Sequence, residues 1–76
     1  MEELLQAKLQ ALLEELHKSP NGQVKAVDFD RNNPAARIIQ DDRGFHWNQY
    51  VRAHAEENGF RIEHNPIGNR NTYVLL

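Results

Sequence analysis

Between Trp47 and Tyr73 the apolar pattern changes its period once, and that switch constrains the fold more than any other feature of the chain. Trp47, Tyr50, Val51 and His54 stand at i, i+3, i+4 and i+7, which is one face of an α-helix. Asn58-Gly59 follows, and glycine supplies the left-handed residue that ends helices because it has no Cβ to clash. From Phe60 to His64 apolar and polar residues alternate, as in a half-buried strand. Asn65-Pro66-Ile67-Gly68-Asn69 turns the chain and Thr72 to Leu76 returns it. The last third of the sequence therefore predicts a helix over 45–58 and a hairpin over 60–76.

Upstream, Leu5, Leu9, Leu12 and Leu16 form a helical stripe over Glu2 to Lys18, widened by Leu4 and Leu13. Acids at its start and His17-Lys18 at its end suit the helix dipole. Ser19-Pro20-Asn21-Gly22 stops it. A small domain has few other apolar residues to bury, so these leucines are expected to form its own core rather than a partner surface. Gln23 to Asp30 reads as a strand with Val27 and Phe29 on one face and Val24 and Ala26 on the other. Asn33-Pro34 then predicts a helix start, with Asn33 as N-cap and proline at the first helical position, over 34–40. Asp42 or Gly44 is the expected N-cap of the long helix. The expected fold is α+β in the order α-β-α-α-β-β, a three-stranded antiparallel sheet with helices packed on it. Trp47 and Tyr50 should be buried against Leu9, Leu12 or Leu16.

Seventy-six residues make one domain, 1–76, without an internal repeat or linker. The apolar ending Val74-Leu75-Leu76 suggests a domain cut from a longer protein. Cysteine is absent, which excludes disulfides and thiolate metal sites. No apolar run approaches the roughly 20 residues that span a bilayer. The acidic N-terminus is unlike a signal peptide, and an intracellular, soluble location in cytoplasm or nucleus is expected.

Chemistry finds little to work with. Asp28-Phe29-Asp30-Arg31-Asn32 imitates the first half of a calcium loop, but Asn33 replaces the glycine and Ile39 the bidentate glutamate. Its acids read instead as a strand end facing water. Glu14 and His17 have half of a di-iron spacing without the second copy. His46, His54 and His64 lack a local zinc signature. Ser19 and Thr72 are the only aliphatic hydroxyls, Asp41-Asp42 and Glu56-Glu57 diverge as sequence neighbours, and no phosphate loop is present. The expectation is a non-enzyme with neither cofactor nor metal.

Charge is asymmetric although the net value is −2. Lys8, Lys18 and Lys25 precede residue 30, and all six arginines follow it. From Arg31 onward they face five carboxylates, leaving a mildly positive, arginine-only half. Arginine's planar fork suits phosphates and base edges.

Val51, Ala55, Glu56, Gly59, Phe60, Gly68 and Tyr73 are arranged as in the single-stranded nucleic-acid-binding domains named for an arginine-x-x-x-histidine signature, which this stretch resembles. Counted back from Gly59, that family's histidine falls on Arg52 and its arginine on Asn48. The element order is also similar to a winged-helix domain, with 34–40 and 45–58 as helix-turn-helix and the hairpin around Gly68 as wing. That resemblance implies outward Asn48, Gln49 and Arg52, side chains that read base edges, with Arg61 and Arg70 on the hairpin and Glu56 opposing them. The expected function is a nucleic-acid-binding module, for DNA or RNA, contacted through these five residues. The alternative is a protein–protein interaction domain, either a winged-helix-like docking module or one using the leucine-rich helix. A monomer without membrane attachment is expected.

Overall fold

A computed structural model describes residues 2–33, 45–68 and 70–76. Helix α1 spans Glu2–Lys18, strand β1 Gln23–Lys25 and helix α2 Ala26–Asn32. Helix α3 covers Phe45–His54 and runs into a 3-10 turn at Glu56–Asn58. Strands β2, Phe60–Asn65, and β3, Arg70–Leu75, form the hairpin. The three strands make one antiparallel sheet in the order β1-β3-β2. The fold is α+β, as the period switch predicts. The expected helix over 34–40 and the N-cap at Asp42 or Gly44 lie outside the described residues.

The helix-to-strand switch is built as the sequence implies. Gly59 closes the 3-10 turn with φ +80° and ψ 27°, and its amide donates to the Glu56 carbonyl at 3.1 Å. Phe60 begins β2 at once, with its own amide still bonded to the Ala55 carbonyl at 3.1 Å. Tyr73 is the centre of the inner sheet face, opposite Ile62 on β2 and Val24 on β1. Phe60 and Phe29 both meet its ring edge-on, with centroids 6.2 and 6.5 Å away. Edge-to-face contact of this kind satisfies the ring quadrupoles.

The leucine stripe of α1 is core. Leu5, Leu9, Leu12 and Leu16 are buried with Phe29, Trp47, Val51, Ala55, Phe60 and Tyr73. Leu13 packs partly against that cluster and only Leu4 stands well out, at 49% exposed. Trp47 is buried as expected, and its indole N–H donates to the Tyr73 hydroxyl at 3.2 Å. Tyr50 is only half-buried and packs against the His54 ring at a 45° tilt, 4.3 Å between ring centroids.

One expected element is corrected. The strand predicted over 23–30 ends at Lys25, and Ala26–Asn32 is helical. Phe29 is buried while Val27 is 44% exposed, so the two do not share a face. The helix wins because it turns Ala26, Phe29 and Asp30 inward together, at i, i+3 and i+4. Asn33 lies at its C-cap, where its side-chain amide donates to the Phe29 carbonyl at 3.0 Å. The acids of the imitation calcium loop are likewise not at a strand end. Asp28 pairs with Arg31, and Asp30 meets Lys8 at 3.3 Å.

Candidate nucleic-acid interface

α3 divides its residues sharply. Trp47 and Val51 face the core, followed by Ala55 just past the helix end, while Asn48, Gln49, Arg52 and Ala53 are exposed. Asn48 and Arg52 are one turn apart, and on a helix such residues stand on the same flank. Arg52 leads directly into a groove between the C-terminal end of α3 and the edge of β2. The groove, about 530 Å³, is lined by Arg52, Ala55, Glu56, Phe60, Arg61, Ile62 and Leu76. Its floor is apolar and its rim carries two arginines and one glutamate.

The two arginines differ in their commitments. Arg61 Nη2 lies 3.4 Å from Glu63 Oε2 on the same strand, with both side chains 54% exposed, so the pair is weak and open to exchange. Arg52 has no ion-pair partner among the described residues. Glu56 follows it by one turn and lines the same rim.

Of the five predicted site residues, Arg52 and Arg61 meet at the groove, with Asn48 and Gln49 on the adjoining helix face. Arg70 is not with them. It opens β3 opposite Asn65, four residues from the position facing Arg61, or about 13 Å along the strand. There it lies against Gly68, whose φ of +81° makes the hairpin turn. The outer face of the sheet places Arg61, Thr72, Lys25 and Gln23 in the alternating positions that face away from the core. Lys25, which its sequence position groups with the N-terminal lysines, adds a cation to this face through its register opposite Thr72.

A second feature takes its meaning only from the tertiary structure. Lys8 stands between Leu5 and Leu12 in the α1 stripe and is only 3% exposed. Its ammonium sits 3.3 Å from Asp30 Oδ1 and 4.6 Å from the Trp47 ring centroid. The carboxylate contact is an ion pair without an aligned hydrogen bond from Nζ. Burial lowers the Lys8 pKa, and Asp30 acts against that shift. Tyr73, 1% exposed, is pushed up to about 12 by burial, although the hydrogen bond from Trp47 works in the other direction. Lys8, Trp47, Tyr73 and Asp30 thus form a polar knot inside the core, not a surface site.

The histidines are dispersed. His54 pairs with Glu57 and packs against Tyr50, and His64 Nδ1 lies 2.8 Å from Asn71 Oδ1. Among the described residues, no group of three metal-ligating side chains comes together. No described helix is long and apolar enough to cross a membrane. Compared with protein families, characterised proteins and solved structures, the chain matches none.

Proposed function

We propose that the chain is a nucleic-acid-binding module that engages phosphate through the groove between α3 and β2. The observation that carries this reading is the convergence of Arg52, from a helix, and Arg61, from a strand, on one groove beside exposed Asn48 and Gln49. Two guanidinium groups on different rigid elements bracket a backbone far better than two on one flexible loop. Asn48 and Gln49 offer the amide groups that read an adenine edge or bridge to a phosphate. The described elements run helix, strand, helix, helix, hairpin, which is compatible with the winged-helix resemblance, although the second helix then falls at 26–32.

A protein-docking reading draws on one specific observation, the apolar lining of the groove by Ala55, Phe60, Ile62 and the exposed Leu76. The leucine-rich helix supports it less, because four of its six leucines are buried in the domain's own core. Titration of labelled single- and double-stranded oligonucleotides at two salt concentrations decides between the two. Phosphate contacts require the affinity to fall as salt rises. No affinity at low salt would remove the nucleic-acid reading.

A further inference from the structure

We infer that β2 is also a self-association edge. Two copies of the chain pair their β2 strands antiparallel about a two-fold axis at Ile62, joining two sheets into one. This goes beyond the nucleic-acid reading, and its test uses no nucleic acid.

The backbone sets the possibility. Leu76 donates its amide to the Gly59 carbonyl at 2.9 Å, and Phe60 stands opposite Leu75 in the next position. Hydrogen-bonded and non-bonded pairs alternate along an antiparallel ladder. Arg61, Glu63 and Asn65 therefore direct their amides and carbonyls toward β3, while Phe60, Ile62 and His64 direct theirs outward. The Phe60 amide is already taken by Ala55. The groups of Ile62 and His64 face a side on which, among the described residues, no strand lies. A six-residue edge left this way is a template for another strand.

The other edge is treated differently. β1 is three residues long, and the outward groups of Gln23 are both capped. Its amide donates to Asn21 Oδ1 at 3.1 Å, and its carbonyl accepts from Ser19 Oγ at 2.8 Å.

Charge chooses the occupant and the register. With the axis at Ile62, Arg61 of each copy lies across from the partner's Glu63, at a non-bonded pair where Cα atoms approach to about 4.5 Å. Both pairs are of opposite sign, and both fall on the solvent face of the sheet. Shifting the axis to Arg61 sets arginine against arginine, and shifting it to Glu63 sets glutamate against glutamate. Moving it to His64 brings Pro66, which has no amide, opposite Ile62. At the Ile62 register, the two Ile62 residues exchange both of their hydrogen bonds. Each His64 amide meets the partner's Phe60 carbonyl, which is the one outward group of Phe60 still available. Asn65 then falls opposite Gly59, where a side chain would meet nothing within 4 Å. The two half-buried Ile62 side chains meet over the apolar floor of the groove.

Sedimentation velocity of the full chain across a wide concentration range tests this. The wild type should show a concentration-dependent monomer–dimer equilibrium. Arg61→Glu and Glu63→Arg each place like charges across both pairs and should weaken dimerisation about tenfold or more. Both positions are exposed, so thermal unfolding of each variant should stay near that of the wild type. Mixing the two variants in equal amounts should restore dimers, as should the double swap Arg61→Glu with Glu63→Arg. A wild type that stays monomeric at every concentration would overturn the proposal. So would dimers indifferent to both reversals, or a mixture that fails to reassociate.

Discussion

Helix α1 hides a lysine in the middle of its length, whereas helix α3 holds its arginine in solvent at the lip of a groove. The two helices pack against each other and carry similar amphipathic patterns. Their charges are used for opposite ends. Lys8 is enclosed by Trp47, Phe29 and Asp30, so it joins α1 to α2 and α3 through the core. Arg52 has solvent, an apolar floor and a second arginine beside it. A buried charge is evidence about architecture, because its partners are supplied from within the domain. An exposed charge among converging polar groups is evidence about ligands. Binding that depends on α1, or folding that depends on the exposed face of α3, would contradict this division of roles.

The largest effect should come from α1. Leu12 is fully buried, so Leu12→Ala should lose about 2–5 kcal/mol. For a chain of this size that is a large part of total stability, and the thermal midpoint should fall sharply or the transition lose cooperativity. Binding per folded molecule should be unchanged. A well-folded Leu12→Ala variant with altered oligonucleotide affinity would mean that α1 is not the purely architectural helix.

Lys8→Ala should destabilise the fold by about 2–3 kcal/mol, since it removes the ion pair to Asp30 together with a side chain packed against Trp47 inside the core. Chemical denaturation at neutral pH measures this directly. The same knot predicts an alkaline response. Lys8 has a lowered folded pKa, so the unfolded chain binds more protons up to the ordinary lysine value and stability rises with pH across that window. Tyr73 has the opposite sign. The unfolded phenol ionises near pH 10 while the folded one waits until about 12, so stability falls between these values. Of these two groups only the tyrosine still contributes above the ordinary lysine value, and its whole effect between pH 10 and 12 amounts to about 2–3 kcal/mol. Denaturation midpoints should therefore drop steeply from pH 10.5 to 12, and Tyr73→Phe should flatten that drop.

How far the sequence reveals these two roles depends on the range of the interactions involved. The hairpin and the stop at Gly59 are local, and each residue from Trp47 to Phe60 carries its own instruction. The leucine stripe is equally local. α2 is different, because Val24, Ala26, Val27 and Phe29 satisfy a period of two over a short run while Ala26, Phe29, Asp30 and Asn33 satisfy the helical one. Contacts with Trp47, Tyr73 and Lys8 select the second pattern, and those partners are distant in sequence. Lys8 was legible as a cation inside the stripe, but its meaning required knowing that Asp30 lies on a helix. The site shows the same division. Arg52 and Asn48 follow from the helix wheel, whereas the meeting of Arg52 with Arg61 depends on how tightly Gly59 turns α3 into β2. The distance of Arg70 follows from strand register once the hairpin is known, and the sequence alone did not separate it from the others.

The smallest effect on stability, and the most discriminating, belongs to the rim of the groove. Arg52→Ala removes an exposed side chain and should change folding free energy by no more than about 0.5 kcal/mol. If its guanidinium neutralises a phosphate, the slope of log affinity against log salt should become shallower by about one. Arg61→Ala should do the same, with Glu63 released from its weak pair as a side effect, while Arg70→Ala should change the slope less because Arg70 lies at the far end of the hairpin. Glu56→Gln removes a like charge from the ligand's path and should tighten binding modestly, most visibly at low salt where screening is weakest. The sign of that change is the informative quantity. An apolar peptide in the groove would be nearly indifferent to Glu56, and a basic one would be lost with it. Tighter oligonucleotide binding by Glu56→Gln, together with shallower slopes for Arg52→Ala and Arg61→Ala, is a combination that phosphate in the groove produces and neither peptide does.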